Sequence, residues 1–436
     1  MQKFAGAVPS ANEAQRKELE YRGAGLPRLS GTAQGGVMAS GPSLTALFTL
    51  EALQAQNGDC LLLHYGTAEA PRFILIDGGP QGVFKNALKP RLDALRTLWS
   101  PGGALPLELL LVSHVDDDHI QGIIELCQSL LPAALRGDEA PYEVRTLWYN
   151  SFGDLVGKSA DRILADWAQM RDRLDAEVGA PIAAAMQDLT RPLARGIQQG
   201  RSLRQLATQL GIDLNRGFRG LVSAPAAGIK PRDWGGGLQL AVLGPGKNRL
   251  EKLFREWKRF LERKAASLLG SAEAVRELAD ESDANLSSII VLAELGGRRM
   301  LLPGDARADD ILAGLKAAGQ MGGGRAHLDL LKLPHHGSSR NVNPDFFSRV
   351  IADHYVISGN GEDGNPDPET LEMIAAARRP ETGTFHFTNR EGRQDLGTNL
   401  KDFFARENER GFTHRTFFRA ANALSLTIDL LAPVTY

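Results

Sequence analysis

The feature that most constrains this 436-residue chain is a dense group of metal-ligand side chains directly behind an apolar strand. Residues 107–112 read LELLLV, and residues 113–122 read SHVDDDHIQG. A continuous apolar strand is typical of a sheet that is buried on both faces. In an extended chain His114 and Asp116 point the same way, because they are two residues apart. Asp118 and His119 then fall at the turn into the next helix, where the helix dipole favours acidic groups.

Four imidazole or carboxylate groups within six residues predict a site for a divalent metal ion. The alternative is an acidic helix start that happens to carry two histidines. We favour the metal site, because polar and charged side chains are rarely gathered at a buried strand end without a partner.

Apolar strand patterns occur in two sets, and each set also contains helical segments. Asn57-Gly58 and Gly296-Gly297 are expected to form tight hairpins, because these residue types tolerate positive φ. The pattern predicts an α/β protein, an αββα sandwich interrupted by an insertion. The strand-like segments are LTALFTLEALQ, QNGDCLLLHYG, PRFILIDGG, LSSIIVLAEL, RRMLLPGD, LDLLKLPHHG, HYVISGN, GTFHFTN and LSLTIDLLA.

The chain is expected to begin with a flexible leader at 1–43, because this stretch is rich in Gly, Ala and Ser and lacks apolar periodicity. Residues 44–436 form the domain, with 138–280 as a mainly helical, basic insertion. Residues 191–220 hold six arginines against one acid, although the whole chain has a net charge of −2. A basic face suits a phosphodiester backbone; the alternative is a solvated helix balanced by acidic residues elsewhere.

The sequence predicts a protein of the cytoplasm that does not span a membrane. No run of 18 apolar residues is present, and the first residues become charged before a signal-like apolar core forms. Cys60 and Cys127 each lie in an apolar run, so we expect two buried thiols in a reducing compartment.

In their order, these motifs resemble the metallo-β-lactamase superfamily, whose signature His-x-His-x-Asp-His stands at the end of a strand. More narrowly, they resemble the nuclease-like domain of competence-type DNA-uptake proteins and its soluble relatives. The resemblance covers 44–125 and 285–370, about two fifths of the chain. It rests on SHVDDDHIQG and on GDCLLLHYG with FILIDGG, NLSSIIVLAEL, LLPGDA and LKLPHHGSS.

The resemblance implies a site for one or two metal ions. Asp305 stands at the bridging position and His336 at the last ligand position, with His335 beside it. A first ion would then be held by His114 and Asp116, and a second by Asp118, His119 and His336. Asn285 and Asn365 are candidates for a further metal ligand or for a substrate contact.

The chain departs from the superfamily pattern at three positions. Asp116 replaces the second signature histidine, Asn285 stands in the third motif, and Asn365 stands where the narrower group has a histidine. The first two changes make the first position rich in oxygen, which favours Mn²⁺ or Mg²⁺, with Zn²⁺ as the alternative. The third leaves His335 as the candidate proton donor.

These ligands predict a metal-dependent hydrolase with a metal-activated water, and the resemblance points to a phosphodiesterase or nuclease. The expected catalytic residues are Asp118, His335 and Asp77; Asp77 would hold a ligand, or it is simply a turn residue. Nucleic acid is the expected substrate. Two alternatives remain: a hydrolase of small esters, amides or thioesters, and a regulatory metal-binding protein. The expected phosphate contacts are Arg201, Arg204, Arg216, Arg219, Lys258 and Arg259, whereas Lys332 is expected to be an exposed strand lysine.

Overall fold

Strands that are mostly apolar and buried on both faces build two large mixed sheets. The computed structural model describes residues 45–151, 195–196, 198–250, 287–411 and 414–436. These residues belong to one unit, Pro42–Tyr436. The expected leader at 1–43, together with Asn285, Lys258 and Arg259, lies outside the described residues.

The first sheet contains seven of the described strands, in the order β17-β1-β2-β3-β5-β7-β8. Its β17-to-β3 half is antiparallel, and the pairs β3/β5, β5/β7 and β7/β8 are parallel. The strands are β1 (Ala46–Leu53), β2 (Leu61–Thr67), β3 (Ala70–Ile76), β5 (Leu109–Leu111), β7 (Thr146–Trp148), β8 (Asp213–Leu214) and β17 (Ser425–Asp429).

The second sheet repeats this mixed plan with eight described strands, in the order β16-β15-β14-β13-β12-β11-β10-β9. The pairs from β9 to β12 are antiparallel, and those from β12 to β16 are parallel. The strands are β9 (Arg232–Asp233), β10 (Gln239–Gly244), β11 (Ile290–Leu295), β12 (Arg298–Leu302), β13 (Ala326–Lys332), β14 (Val350–Ile357), β15 (Thr384–Phe387) and β16 (Arg415–Phe418). A separate small sheet pairs β4 (Leu105–Leu107) with β6 (Tyr142–Val144).

The helices connect the strands. A π-helical turn, Phe84–Leu88, runs into the first helix, and a 3-10 turn, Pro334–Gly337, follows β13. The helices are α1 (Lys89–Trp99), α2 (Asp117–Arg136), α3 (198–209), α4 (Ala308–Ala317), α5 (Pro344–Arg349), α6 (Pro368–Arg378) and α7 (Leu396–Glu409). The expected α/β class is therefore confirmed.

Three buried apolar clusters fix the packing of these elements. Along β2, Leu61 and Leu63 belong to a cluster shared with strands of the second sheet, whereas Leu62 packs with α1, α2 and α3. Alternate residues of a strand point to opposite faces, so each sheet has one apolar face for helices and one for the other sheet. Helices also cover one face of the second sheet, because residues of α4 to α7 belong to one apolar cluster with Leu301 and Phe385.

The expected insertion at 138–280 contributes strands to both sheets. β7 and β8 extend the first sheet, and β9 and β10 extend the second. α3 packs on the first sheet through Leu203 and Leu206. The segments 152–194 and 251–286 lie outside the described residues.

The two predicted hairpins differ in outcome. Gly296 (φ 59°) and Gly297 (φ 77°) join β11 to β12 as expected. The expectation for Asn57-Gly58 is wrong, because the loop between β1 and β2 is longer than two residues and its positive φ falls on Gln56. Gly58 is needed for another reason: a Cβ there would lie 1.9 Å from the carbonyl oxygen of Asp118.

Cys60 and Cys127 are free and buried, as the apolar runs predicted. In the part of the chain that the structure describes, no helix is long and apolar enough to cross a bilayer.

The close contact between α2 and the loop after β3 can be tested with a single methyl group. A Cβ on Gly122 would lie 2.0 Å from the carbonyl oxygen of Gly78, so Gly122→Ala must push the two backbones apart. We expect a loss of about 1–3 kcal/mol in the free energy of unfolding, measured in guanidinium, as for an overpacked core. Gly246→Ala is the control, because no atom lies within 4 Å of its added Cβ. Equal stability of the two variants would contradict the contact.

Candidate metal centre

The candidate ligands follow the carboxyl ends of parallel strands in both sheets. Asp77 follows β3 and His114 comes shortly after β5, whereas Asp305 comes after β12 and His336 after β13. Carboxyl ends of parallel strands meet at one edge of a sheet. A hydrogen bond from the backbone N of Ile289 to the carbonyl oxygen of Ser113 (2.9 Å) joins the two sheets near that edge.

Four side chains converge on one point. Asp118, His119, Asp305 and His336 each offer an atom that lies within 4.8 Å of the others. Nε2 of His336 is 3.3 Å from Oδ2 of Asp118, and Nε2 of His119 is 3.4 Å from Oδ1 of Asp305. We call these four residues the central set. They include the three ligands expected for a second ion, together with the bridging carboxylate.

A second group lies around the other oxygen of Asp305. Nε2 of His114 is 3.5 Å from Oδ2 of Asp116 and 3.7 Å from Oδ2 of Asp305. Nε2 of His335 is also 3.7 Å from Oδ2 of Asp305. Asp305 thus lies between the central set and a flanking set of His114, Asp116 and His335.

The donor atoms of the two sets suit a divalent cation. Nε2 of His114, His119 and His336 and Oδ1 of Asp305 are buried and have no hydrogen-bond partner. Most buried side-chain polar atoms in folded proteins have a hydrogen-bond partner, and here several that lack one lie at a single point. Imidazole nitrogens and carboxylate oxygens that converge without partners fit a metal ion, which would satisfy all of them at once.

Asp77 holds His119 from behind. Its Oδ2 lies 2.8 Å from Nδ1 of His119, so Nε2 of that ring faces the central set. Its Oδ1 accepts a hydrogen bond from the backbone N of Ser113 (2.7 Å), and its Oδ2 accepts one from the hydroxyl of Ser113 (2.7 Å). A carboxylate behind a ligand histidine fixes the ring and its tautomer.

Asn341 fixes the ring of His335. Its Nδ2 donates to the carbonyl oxygen of Asp305 (2.8 Å), which turns its Oδ1 towards Nδ1 of His335, also at 2.8 Å. Nδ1 of His335 therefore carries a hydrogen, and its Nε2 lies on the side of Asp305.

Three residues of the site have left-handed backbone. The φ angles are 55° for Asp77, 48° for His335 and 55° for His336. Residues other than glycine seldom adopt this conformation, and where they do, they cluster at functional sites. The surrounding hydrogen bonds hold these side chains at the cost of local strain.

The site concentrates opposite charges in a buried volume. Burial alone would lower the pKa of His119, but Asp305, Asp118 and Asp77 raise it well above its ordinary value. Burial alone would raise the pKa of Asp118, but His119 and His336 lower it to about 2. The pKa of Asp305 is held well below its usual range by His119, His336, His335 and His114, which outweigh its burial. The same carboxylates that hold protons on the rings would hold a divalent cation.

The site opens to solvent on one side. The side chains of Asp116, Asp118 and His335 are 33%, 23% and 30% exposed, whereas those of His114 and Asp305 are buried. Solvent can therefore reach the site from this side.

Sequence reasoning missed the contact between the segment at α3 and the start of α2, which carries candidate ligands. Gln199 bonds Asp117 and also donates to Oε1 of Gln121 (3.0 Å), and Arg195 forms an ion pair with Asp117. Asp117 is therefore an anchor for the insertion rather than a ligand. The signal in the sequence was the middle acid of the VDDDH run, which no ligand pattern required.

The expected phosphate-binding arginines lie in two places. Arg201 and Arg204 are on α3, whose Gln199 contacts Asp117 and Gln121 at the start of α2. Arg216 and Arg219 are exposed and follow β8, so they lie at the same edge of the first sheet as the candidate ligands. Asn365 is buried, and its backbone borders Gly359, which also adjoins His336.

Comparison with known proteins assigns no family. No known family profile matches the chain. A stretch of 65 residues is 38% identical to microtubule-associated protein 1A of Rattus norvegicus. The match covers 14% of this chain, and the chain spans 2% of the length of that protein.

Metal affinity should depend on pH through His336. Burial alone would lower its pKa, but Asp305, Asp59 and Asp118 raise it from 6.5 to about 9. In the metal-free protein, the protonated ring therefore stabilises the fold fully below pH 6.5, and this contribution is lost as the pH rises through 9. A cation must displace that proton. We expect the rise in melting temperature on addition of Mn²⁺ to grow between pH 6.5 and 9; a rise that is independent of pH would contradict this.

Proposed function

We propose that this protein is a metal-dependent hydrolase of phosphodiesters, with a fold like that of the metallo-β-lactamase superfamily. The convergence of Asp118, His119, Asp305 and His336, with partnerless buried donor atoms, carries the proposal. Two mixed sheets with helices packed on each support the likeness in fold. One or two ions are proposed, one in the central set and one in the flanking set.

The chain's own residues would divide the work of hydrolysis. A divalent ion in such a set acts as a Lewis acid and lowers the pKa of water towards ~7. Asp118, 23% exposed at the mouth of the site, would orient the attacking water. His335 lies on the opposite side of Asp305 and would pass a proton to the leaving oxygen from Nε2. Asp77 keeps His119 in one tautomer throughout.

The flanking set favours hard cations. Carboxylates of Asp116 and Asp305 contribute oxygen beside His114, and oxygen ligands suit Mn²⁺ or Mg²⁺ better than Zn²⁺. We therefore expect Mn²⁺ to support activity better than Zn²⁺.

A nucleic acid is the proposed substrate. Two of the four arginines lie on α3, whose Gln199 contacts the start of α2. The other two follow β8, at the sheet edge that carries the candidate ligands, and all four are exposed or partly exposed. Guanidinium groups bind phosphate through paired hydrogen bonds. Such contacts add affinity without reading sequence. The four are Arg201, Arg204, Arg216 and Arg219.

Removal of a ligand should abolish hydrolysis without unfolding the chain. Asp118→Asn keeps the shape of the side chain but removes a charge that a cation needs, so we expect at least a ~100-fold loss of nuclease activity with Mn²⁺. His327→Ala is the control, because His327 is 57% exposed and lies near the start of β13, away from the site. The assay compares Mn²⁺, Mg²⁺ and Zn²⁺ on DNA and RNA. Full activity of Asp118→Asn, or no activity of the wild type with any of the three ions, would contradict the proposal.

The arginines should control the salt dependence of binding. Reversal of Arg201, Arg204, Arg216 and Arg219 to Glu should lower nucleic-acid affinity. Each lost phosphate contact should reduce the slope of log affinity against log salt by about 0.7–0.9. Metal content should stay the same, since no guanidinium ligates a cation. Arg298→Glu is the control, because Arg298 lies at the start of β12, at the opposite edge of the sheet. An unchanged slope would favour a small-substrate hydrolase instead.

A further inference from the structure

A lysine is buried at the end of β13, next to the candidate metal centre. The expectation of an exposed Lys332 is wrong, because its side chain is 1% exposed. Its ammonium bonds the carboxylate of Asp59, which is also 1% exposed. Two charges removed from water are costly, and well-packed apolar residues often serve stability as well or better. The pair therefore calls for a role other than stability.

Asp59 lies between Lys332 and a ligand of the central set. Its Oδ2 accepts from Nζ of Lys332, and its Oδ1 is 3.5 Å from Nδ1 of His336. The hydrogen on Nδ1 of His336 is directed to the carbonyl oxygen of Ser358 (3.1 Å). Nε2 of the ring then faces Asp118. Asp59 faces the same side of the His336 ring at a longer distance than the 2.8 Å between Asp77 and His119, and its Oδ1 is buried without a hydrogen-bond partner.

The backbone around Asp59 connects the loops that carry the ligands. The backbone N of Asp59 donates to the carbonyl oxygen of Asp118 (3.2 Å). The hydroxyl of Ser358 donates to the carbonyl oxygen of Gly58 (2.5 Å). The segment Gly58–Asp59 thus touches the loop of Asp118 on one side and the strand end that supports His336 on the other.

Asp59 also belongs to a second group of candidate metal ligands. Asp59, Asp77 and His119 also offer three atoms within 4.8 Å of one another, and all three residues are buried. The ammonium of Lys332 supplies positive charge to this carboxylate from within the chain. It thereby leaves the outer carboxylates, Asp118 and Asp305, to meet a cation.

We propose that Asp59 is a positioning residue for His336 and that Lys332 holds Asp59 in that role. The negative charge of Asp59 attracts the Nδ1 side of the His336 ring and so turns Nε2 towards the central set. Lys332 is the counter-charge of this inner carboxylate, so that the ion binds on the open side of the site. This proposal rests on the metal centre of the proposed function.

The test compares Mn²⁺ affinity, measured by calorimetry, and the visible spectrum of the Co²⁺ form among matched variants. Asp59→Asn should weaken Mn²⁺ binding by about 10–100-fold, as for other residues that orient metal ligands. It should also shift the Co²⁺ bands, because the ring of His336 changes its orientation. Glu407→Gln is the control: Glu407 is a buried carboxylate paired with Arg379, and no contact links that pair to the metal centre among the described residues. It should lower the melting temperature but leave affinity and spectrum unchanged.

The double variant Asp59→Asn, Lys332→Met separates positioning from folding. It removes both charges together, so we expect it to regain the melting temperature lost by either single variant while Mn²⁺ affinity stays low. It also carries the measurement if Asp59→Asn does not fold. Wild-type affinity and spectrum in the double variant would overturn the positioning role alone. Failure of the wild type to bind Mn²⁺ would overturn this role together with the proposed function.

Discussion

The rest of the site depends on the attraction between the carboxylate of Asp305 and four histidine rings. Its two oxygens lie 3.4–3.8 Å from Nε2 of His114, His119, His335 and His336. The carboxylate is 2% exposed, so these attractions act in a medium that screens them weakly. Four rings directed at one buried carboxylate would repel one another without it. A divalent cation on each side of Asp305, as we propose, would satisfy both the rings and the carboxylates.

The fold supplies this arrangement through strand ends. Parallel strands in the first sheet bring Asp77 and His114 to one edge, and parallel strands in the second bring Asp305 and His336 to theirs. The apolar cluster shared by the sheets holds the two edges together. The contact of Gly58 with Asp118 and that of Gly78 with Gly122 then lock the loops, since no side chain fits between those backbones.

The sequence predicted the parts of this site that depend on local spacing. The run from His114 to His119 predicted a group of candidate metal ligands from spacing alone. Asp305 and His336 were predicted as further ligands only through the resemblance of their motifs to a family. The hairpin turn at Gly296-Gly297 was predictable, because turn geometry depends on the local sequence. Asp59 and Lys332 were missed, because each looked unremarkable within its own segment and their contact spans 273 positions. Opposite charges beside one apolar strand and at the end of another were the available signal. Asn341 was missed for a related reason: its role depends on the backbone of Asp305.

The most direct test of the central claim is anomalous diffraction from crystals of the full chain soaked in Mn²⁺. The account predicts a peak bounded by His119, His336, Asp118 and Asp305, with any second peak on the side of His114 and Asp116. No anomalous peak at the strand ends would contradict a metal centre there. A peak enclosed by Asp59, Asp77 and His119 would contradict the assignment of Lys332 as the cation that serves the inner carboxylate.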